Sequence, residues 1–405
     1  MACRNPVKLG PPGAGSVANF PQLVELISNR PCIGSRLSRG SPQLRNFHSG
    51  FQSRSRVRAS KHRMDSITHI ALGAILGDAF AGKAIGKKAM VIGAVAQSLP
   101  DVDFIMSLWL RPVDNLLAHR GFTHSILFCV LTSLLLGILM TRWQHTSGIP
   151  IRKWMLFFVL QMFIHLFLDA LNSYGVGWFE PFSHLRLAFD VIYVADPFYS
   201  VWLGVGCLGL LFLKTDSPKR KKWLVLSLMM STLYLGYTFY NKVDITHDAT
   251  LALRNAGIRH ARFMTTPTPL NNWLWYVIAE TDSGFQVGYR SVFDRTDSIA
   301  FTYFPRQDTL LKPMRESEDV QKLKRFSQGY YTVEWKNGDL LFNDLRFGQI
   351  VGWTDPHAGF AFHYDLLQPE ANLFVVQQGR FSNWNGKTIR VLMRRIAGSP
   401  AQEGH

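Results

Sequence analysis

Two stretches of this sequence, Gly121–Thr141 and Trp223–Asn241, contain no Asp, Glu, Lys or Arg, and Ile126–Met140 is mostly Leu, Ile, Val and Phe. Each is near the ~20 residues that a helix needs to cross the ~30 Å hydrocarbon core of a bilayer. Two further runs fit the same reading: Trp154–Leu171, interrupted by His165 and Asp169, and Pro197–Leu213. Ser66–Gly77 and Ala89–Pro100 are shorter, with twelve residues each between formal charges. At ~1.5 Å per residue they are too short to span alone. Their Gly and Ala content suits close helix packing, so they read as a helical pair buried in the bundle. The expected fold is mainly α, a polytopic transmembrane helical bundle of about six segments, followed by a soluble β or α+β domain.

Three regions follow. Residues 1–63 hold eleven Lys/Arg and one acid, Glu25, so +10 of the net charge of +16 falls there. A Ser-, Arg-, Pro- and Gly-rich tail of this kind cannot bury a core and reads as disordered. It has the acid-poor look of a transit peptide and lacks the apolar core of a secretory signal. The alternative is that translation begins at Met64, which opens the first motif below, and this is the expectation. Residues 64–240 form the membrane-embedded part. Residues 241–405 form the soluble part, where apolar and polar residues alternate in short runs: Leu274–Glu280, Gly284–Arg290, Ile299–Phe304, Tyr330–Trp335, Leu340–Phe342, Phe360–Tyr364 and Phe374–Gln377. Asn337-Gly338 is a hairpin signal. With most of the positive charge in a tail, no nucleic-acid partner is expected. Four scattered cysteines give neither a disulfide framework nor a zinc pair.

Loop charge sets the orientation. The basic loops are Lys214–Lys222, the loop with Arg142, Arg152 and Lys153, and the turn with Lys83, Lys87 and Lys88. Loop 172–197 is poor in base. The positive-inside rule places the basic loops in the cytoplasm. The end near Met64, loops 101–121 and 172–197, and everything after Tyr240 then face outward.

Ionisable side chains in membrane segments are costly and usually functional. Here they are His69 and Asp78 in the first segment, Asp101 and Asp103 after Pro100, His119 and His124 at the start of the third, and His165 and Asp169 in the fourth. His165 and Asp169, at i and i+4, share a helix face. An extended turn after Pro100 would point Asp101 and Asp103 the same way. Between His119 and His124, Gly121 permits a tight turn and Thr123 can cap the next helix. In the orientation above, all but Asp78 sit near the outer end of their segments. Imidazoles and carboxylates together suit Zn²⁺ or Mn²⁺, with ligands enough for two ions. A single membrane His or Asp has an ordinary reading as a packing hydrogen bond or a helix cap. Asp114, His145 and His184 read that way, and His247, His357 and His363 read as residues of the soluble part. The seven together are less easily so explained, since each buried charge would need its own partner.

Met64-Asp-Ser-Ile-Thr-His69, Leu99-Pro-Asp-Val-Asp103, His119-Arg-Gly-Phe-Thr-His-Ser125, His165-Leu-Phe-Leu-Asp169-Ala-Leu-Asn172-Ser-Tyr-Gly175 and Asp196-Pro-Phe-Tyr199 resemble the motifs of the YdjM-like family. The resemblance covers about 64–240, and the His-Arg-Gly-x-Thr-His-Ser piece is its most specific part. It implies an inner-membrane, metal-dependent hydrolase and, for members labelled LexA-binding, a LexA-type partner. The 63-residue tail departs from the family pattern.

The reading is a hydrolase at the membrane edge that uses a metal-activated water on a lipid-linked or phosphoester substrate. The metal residues are His69, Asp101, Asp103, His119, His124, His165 and Asp169. Asp103, His124 and Arg120 carry catalysis, with Arg120 set against an anionic substrate group, and Asp78 and Asp196 are further candidates. The rival reading is a transporter or a non-catalytic scaffold with a structural metal or polar network. A transporter places polar groups near the midplane in paired repeats, and neither is evident. The orientation is testable: a phosphatase reporter fused after Asn241 is expected to be active and one at Lys219 inactive. The reverse pattern would invert the assignment and put the site on the cytoplasmic side.

Overall fold

The computed structural model describes residues 63–296, 298–369, 372 and 384–399. The basic tail 1–62 and the expected strand Phe374–Gln377 lie outside the described residues. The helical part comprises α1 (Arg63–Ile85), α2 (Lys88–Ser98), a 3-10 helix (Pro100–Leu108), α3 (Pro112–Ala118), α4 (Ile126–Trp143), α5 (Ile151–Ala170), α6 (Pro197–Phe212) and α7 (Lys219–Asn255). Among the described residues, α4, α5 and α7 are long and apolar enough to cross a membrane. A fourth span results if α2 and the 3-10 helix, bent by 59°, count as one. This corrects the expected six segments. The 16 residues of α6 reach only ~24 Å. In α1, Asp78 interrupts the apolar run and forms a buried ion pair with Arg220 of α7. Arg220 also donates to the carbonyls of Leu210 (2.6 Å) and Leu213 (2.9 Å), so the pair ties α1 and α6 to α7.

Glycine lets α1 and α2 pack as a tight hairpin. A Cβ on Gly93 would lie 2.1 Å from the Gly73 carbonyl oxygen and 2.8 Å from Gly77 Cα. Membrane helices pack by this kind of close backbone approach, since lipid gives apolar side chains no hydrophobic reason to associate. The side of α4 away from its neighbours exposes Leu131, Leu135 and Leu139, as a lipid-facing surface requires.

The 37-residue helix α7 is ~55 Å long, well beyond a bilayer core. Its apolar first half packs on α6. In its second half, Ala249 and Ala252 pack on Val277 and Ile299 of the C-terminal domain. That domain carries an antiparallel sheet ordered β1 (Arg262–Pro267), β2 (Leu274–Glu280), β3 (Gly284–Ser291), β4 (Thr302–Pro305), then helix α8 (Glu318–Phe326). A second antiparallel sheet follows, β5 (Tyr331–Lys336), β6 (Asp339–Gln349), β7 (Phe360–Asp365), and then α9 (Gly386–Ile396). Asn337 and Gly338, with φ of 54° and 94°, turn β5 into β6 and set the Lys336–Asp339 register. The mainly helical chain with a C-terminal β part matches expectation, although β1 gave no sequence signal.

The domain sits on loops 101–121 and 172–197. One apolar core runs through Val113, Leu116 and Tyr174 into Leu323, Phe326 and Phe347. Lys322–Asp114 (2.5 Å) and Arg111–Asp319 (3.1 Å) rim it. Even fully exposed pairs contribute only ~0–1 kcal/mol each, and these are partly exposed, so the apolar core is the larger part of the join.

Gly93→Leu should open the α1–α2 hairpin and lower the melting temperature of purified protein well below wild type. Gly236→Ala, where a Cβ meets nothing within 4 Å, should leave it unchanged.

Candidate metal centre

The site is built where α2 ends. Pro100 lacks an amide hydrogen and starts the 3-10 helix that carries Asp101 and Asp103. A 3-10 helix turns ~120° per residue, so residues two apart face different directions. The expected shared direction of the two carboxylates is therefore corrected: Asp101 and Asp103 diverge and approach opposite nitrogens of His124, Nε2 and Nδ1.

Asp101 points to a cluster with His124, His165 and Asp169, the one such group among the described residues whose ligand atoms could hold a metal ion. His124 Nε2 lies 3.2 Å from His165 Nε2, 3.2 Å from Asp169 Oδ2 and 3.6 Å from Asp101 Oδ1. His165 Nε2 lies 3.4 Å from Asp169 Oδ2 and 3.5 Å from Asp101 Oδ1. Bonds of ~2.0–2.1 Å in a tetrahedron place ligand atoms ~3.3–3.4 Å apart. Five of the six edges thus have the size of a tetrahedral metal site.

The second ring nitrogens explain why these imidazoles face inward. His165 Nδ1 donates to the Gln97 carbonyl at 2.6 Å. His124 Nδ1 lies 3.3 Å from Asp103 Oδ2. An acceptor at Nδ1 holds the proton there and leaves the Nε2 lone pair inward, as the outer partners of metal-binding histidines do. Four acceptor atoms then face one another, three of their residues fully or almost fully buried. Two carboxylates and two neutral imidazoles balance the charge of one divalent cation.

Asp103 is the hub of the surrounding layer. His119 Nδ1 donates to its Oδ1 at 3.2 Å. The Arg120 backbone N–H donates to its Oδ2 at 2.7 Å, and Thr123 Oγ1 does so at 3.4 Å. His69 Nε2 donates to Asp169 Oδ1 at 3.2 Å, and its ring lies 4.0 Å from that of His165. Of the seven expected metal residues, four converge on one point, and His69, His119 and Asp103 sit one side chain further out.

Arg120 takes φ 57°, in the left-handed region, which is uncommon for a side chain of this size. The turn aims its amide at Asp103 and its guanidinium at Asp169, with Nε 3.2 Å from Oδ2 and Nη1 donating to Asn172 Oδ1 at 2.9 Å. Gly121 is needed for proximity, since a Cβ there would lie 2.9 Å from the Ala118 oxygen. The cap of α4 is Ser125, whose Oγ accepts from the Phe128 amide at 3.0 Å, and not the expected Thr123.

The remaining candidates lie apart from this point. Asp78 is paired with Arg220. Asp196 caps α6 by accepting from the Phe198 amide at 2.8 Å, and accepts from the Tyr234 hydroxyl at 2.9 Å. Sequence reasoning left Gln97, Asn172 and Tyr174 without roles. Gln97 was detectable as an amide inside an otherwise apolar helix, and Asn172 by its place one turn after Asp169. Tyr174 lies between the guanidinium groups of Arg120 and Arg186, 5.2 and 5.6 Å from its ring centre. Burial pushes its hydroxyl up to about 12, against the two cations. Burial also pushes Arg186 down to about 10, where it remains charged at neutral pH.

The family model for the YdjM inner membrane protein matches residues 64–245. The Inner membrane protein YbcI of Escherichia coli (strain K12) is 35% identical over 136 residues, covering 33% of this chain and 76% of that protein. The Uncharacterized protein YfhP of Bacillus subtilis (strain 168) is 30% identical over 166 residues, covering 37% of this chain and 50% of its own length. No solved structure matches.

If the cluster holds a divalent ion such as Zn²⁺, Asp103→Asn should weaken its binding ~10–100-fold, as loss of an outer partner typically does, while the helical content stays that of wild type. Asp78→Asn should lower the melting temperature and leave the metal affinity alone. Titration calorimetry and thermal melts on the two variants read both outcomes.

Proposed function

The chain belongs to the YdjM inner membrane protein family, and we propose that it is a membrane-bound, metal-dependent hydrolase whose Asp101, His124, His165 and Asp169 hold one divalent ion. The observation that carries this is the set of 3.2–3.6 Å spacings among acceptor atoms whose imidazoles are turned inward by Gln97 and Asp103. Zn²⁺ fits best. An octahedral site with ~2.1 Å bonds would bring neighbouring ligands to ~3.0 Å. The set is of borderline softness.

A bound ion of this kind lowers the pKa of a water toward ~7 and polarises a carbonyl or phosphoryl oxygen. The protein's part is orientation and proton handling. Asp101, with its side chain 24% exposed, is the ligand on the open side, where a substrate oxygen can approach. His119, 19% exposed and oriented by Asp103, is the imidazole placed to accept and return a proton. Arg120 is committed to Asp169 and Asn172, so its role is to fix that ligand.

A four-ligand tetrahedron also supports a second reading, a structural ion with a closed shell. The partial exposure of Asp101 favours catalysis. The site lies at the end of the bundle beneath the C-terminal domain, and this favours a lipid-linked or phosphoester substrate entering at the membrane edge. We take the chain to be multi-pass, with residues 64–240 in the membrane and 241–405 outside the cytoplasm. A LexA-type partner would need the opposite orientation.

His165→Ala and Asp101→Ala should lose bound metal, read by elemental analysis, together with hydrolysis in a panel of carboxylic esters and phosphoesters. His357→Ala, on the surface of the C-terminal domain, should change neither. Wild-type protein that holds no stoichiometric metal and gains neither stability nor hydrolysis from Zn²⁺ or Mn²⁺ would leave the cluster as a packing network.

A further inference from the structure

We propose that the 3-10 helix Pro100–Leu108 does not cross the bilayer but lies in its interfacial layer, with exposed apolar side chains set into the lipid beside Asp101. This placement does not depend on the hydrolase reading; its consequence for the substrate does.

After Asp103 the chain runs Phe-Ile-Met-Ser-Leu-Trp-Leu, without a formal charge, up to Arg111. Phe104, Met106, Leu108 and Trp109 are exposed, the last two at 73% each. Both ends of the stretch are held. Asp103 is buried against the His119–His124 turn, and Arg111 pairs with Asp114 and Asp319. Large apolar side chains turned outward on a segment fixed at both ends mark a surface that something apolar covers.

The neighbouring surfaces identify that cover as lipid. The turn Phe122–His124 packs against the 3-10 helix, and the exposed Phe122 lies with its ring 5.8 Å from Phe128 of α4. Through Phe122 the apolar surface meets α4, where Ile126, Val130 and Leu134 are exposed one turn apart. Aromatic rings mark the edge of the hydrocarbon at this end. The Ile126 amide donates to the Trp178 carbonyl, and the Trp178 ring lies 6.3 Å from those of Phe163 and Phe189, both exposed. At the far end of α4, Trp143 is exposed. The 18 residues of α4 place ~27 Å between the two aromatic levels, close to the ~30 Å core of a bilayer, and aromatic residues gather at its two interfaces.

The 3-10 helix starts at this edge. The Gln97 carbonyl, just before Pro100, accepts from His165 in the last two turns of α5, so α2 has already reached the end of the bundle. Nine residues at ~2.0 Å give ~18 Å, too short to cross alone, and the 59° bend turns the helix away from the direction of α2. An apolar face of this kind sits ~5–10 Å deep, at the boundary of head groups and acyl chains. Asp101, the partly exposed member of the cluster, lies in the first turn of this helix. A hydrolase at this cluster therefore draws its substrate from the leaflet.

The test uses full-length wild-type protein in nanodiscs of phosphatidylethanolamine and phosphatidylglycerol. Two diazirine lipids, one reactive next to the head group and one at the chain end, are photolysed, and labelled residues are read by mass spectrometry. The first probe should label residues 104–110. The second should label Leu134 and Leu135 of α4 and leave residues 104–110 unlabelled. Chain-end label on 104–110 would make the segment part of a span, and label from neither probe would mean that water or another protein surface covers it; either result overturns the proposal. Leu108→Asp combined with Trp109→Asp should cut the first label at least about 10-fold, the scale of one buried Leu side chain, with unchanged helical content; undiminished label would overturn the proposal as well. Asp101→Ala separates the two readings, since it should lose metal and keep the wild-type label pattern. For a carboxylic ester or phosphoester that the protein hydrolyses, a long-chain form in the nanodisc should be preferred to its short-chain soluble form, and the double variant should lose that preference. Equal rates on the two forms would end the leaflet source alone, and a wild type without hydrolysis would end the hydrolase reading and leave the lipid-facing surface standing.

Discussion

The carboxylate of Asp169 is buried in the last turn of α5, with His69 on one oxygen and His124, His165 and Arg120 around the other. Those partners come from α1, the His119–Ser125 turn and α5 itself, so one side chain gathers segments that are far apart in sequence. Burying a carboxylate without compensation is prohibitive. Arg120 supplies one positive charge. The inward lone pairs of His124 and His165 and the second carboxylate of Asp101 still face one another. With the Nδ1 positions turned to Gln97 and Asp103, a cation bound among the four would resolve the repulsion, as would a second proton on either imidazole, shared with Asp101 or Asp169.

The rest of the architecture serves to keep these segments together. The glycine-packed α1–α2 hairpin brings His69 and Gln97 within reach of α5. Helix α7 ties the two halves: its start pairs Arg220 with Asp78, and Asn241 donates to the Asn272 carbonyl at 2.9 Å, while Asn272 donates to the Val191 carbonyl at 3.0 Å. The C-terminal domain is thereby fixed over loop 172–197, whose first residues continue directly from Asp169. Arg186, buried between Tyr174 and Phe326, donates to the His119 carbonyl at 2.9 Å. Packing of the domain therefore bears on the turn that orients His119, Arg120 and His124.

Much of this was legible in the sequence, for identifiable reasons. The i,i+4 pair His165/Asp169 needed only helix geometry, and the members of the cluster were marked by the cost of ionisable groups in or beside apolar runs. The alternating strands and the Asn337-Gly338 hairpin were equally visible. The six-span count failed because a charge-free run does not give the length of a helix: α6 has only 16 residues, α2 ends at Ser98 after 11, and the apolar run of α1 is broken by Asp78, paired with Arg220. Strand β1 was hidden because Arg262–Pro267 (Arg-Phe-Met-Thr-Thr-Pro) does not alternate apolar and polar residues and pairs along one edge of β2. In the layer around the cluster, His69, Asp103, His119 and Arg120 were marked by the sequence, while the Gln97 carbonyl and the Arg120 amide were hidden because they are backbone groups, which no side-chain pattern reveals.

The Asp101-Val-Asp103 pair shows how a small change in backbone geometry divides one motif into two functions. In an extended turn both carboxylates would have entered the same site, placing three carboxylates together and leaving His119 Nδ1 and the Arg120 amide without the Asp103 acceptor. In the 3-10 turn that follows Pro100, Asp101 reaches the cluster while Asp103 turns to the His119–His124 loop and collects four donors from it. The loop in turn needs that acceptor, because Arg120 takes a left-handed φ of 57° that costs free energy unless its surroundings fix it. The Asp103 carboxylate fixes it at the amide and Asp169 at the guanidinium. The strained turn, the 3-10 helix and the inward imidazole of His124 thus meet at one carboxylate, that of Asp103.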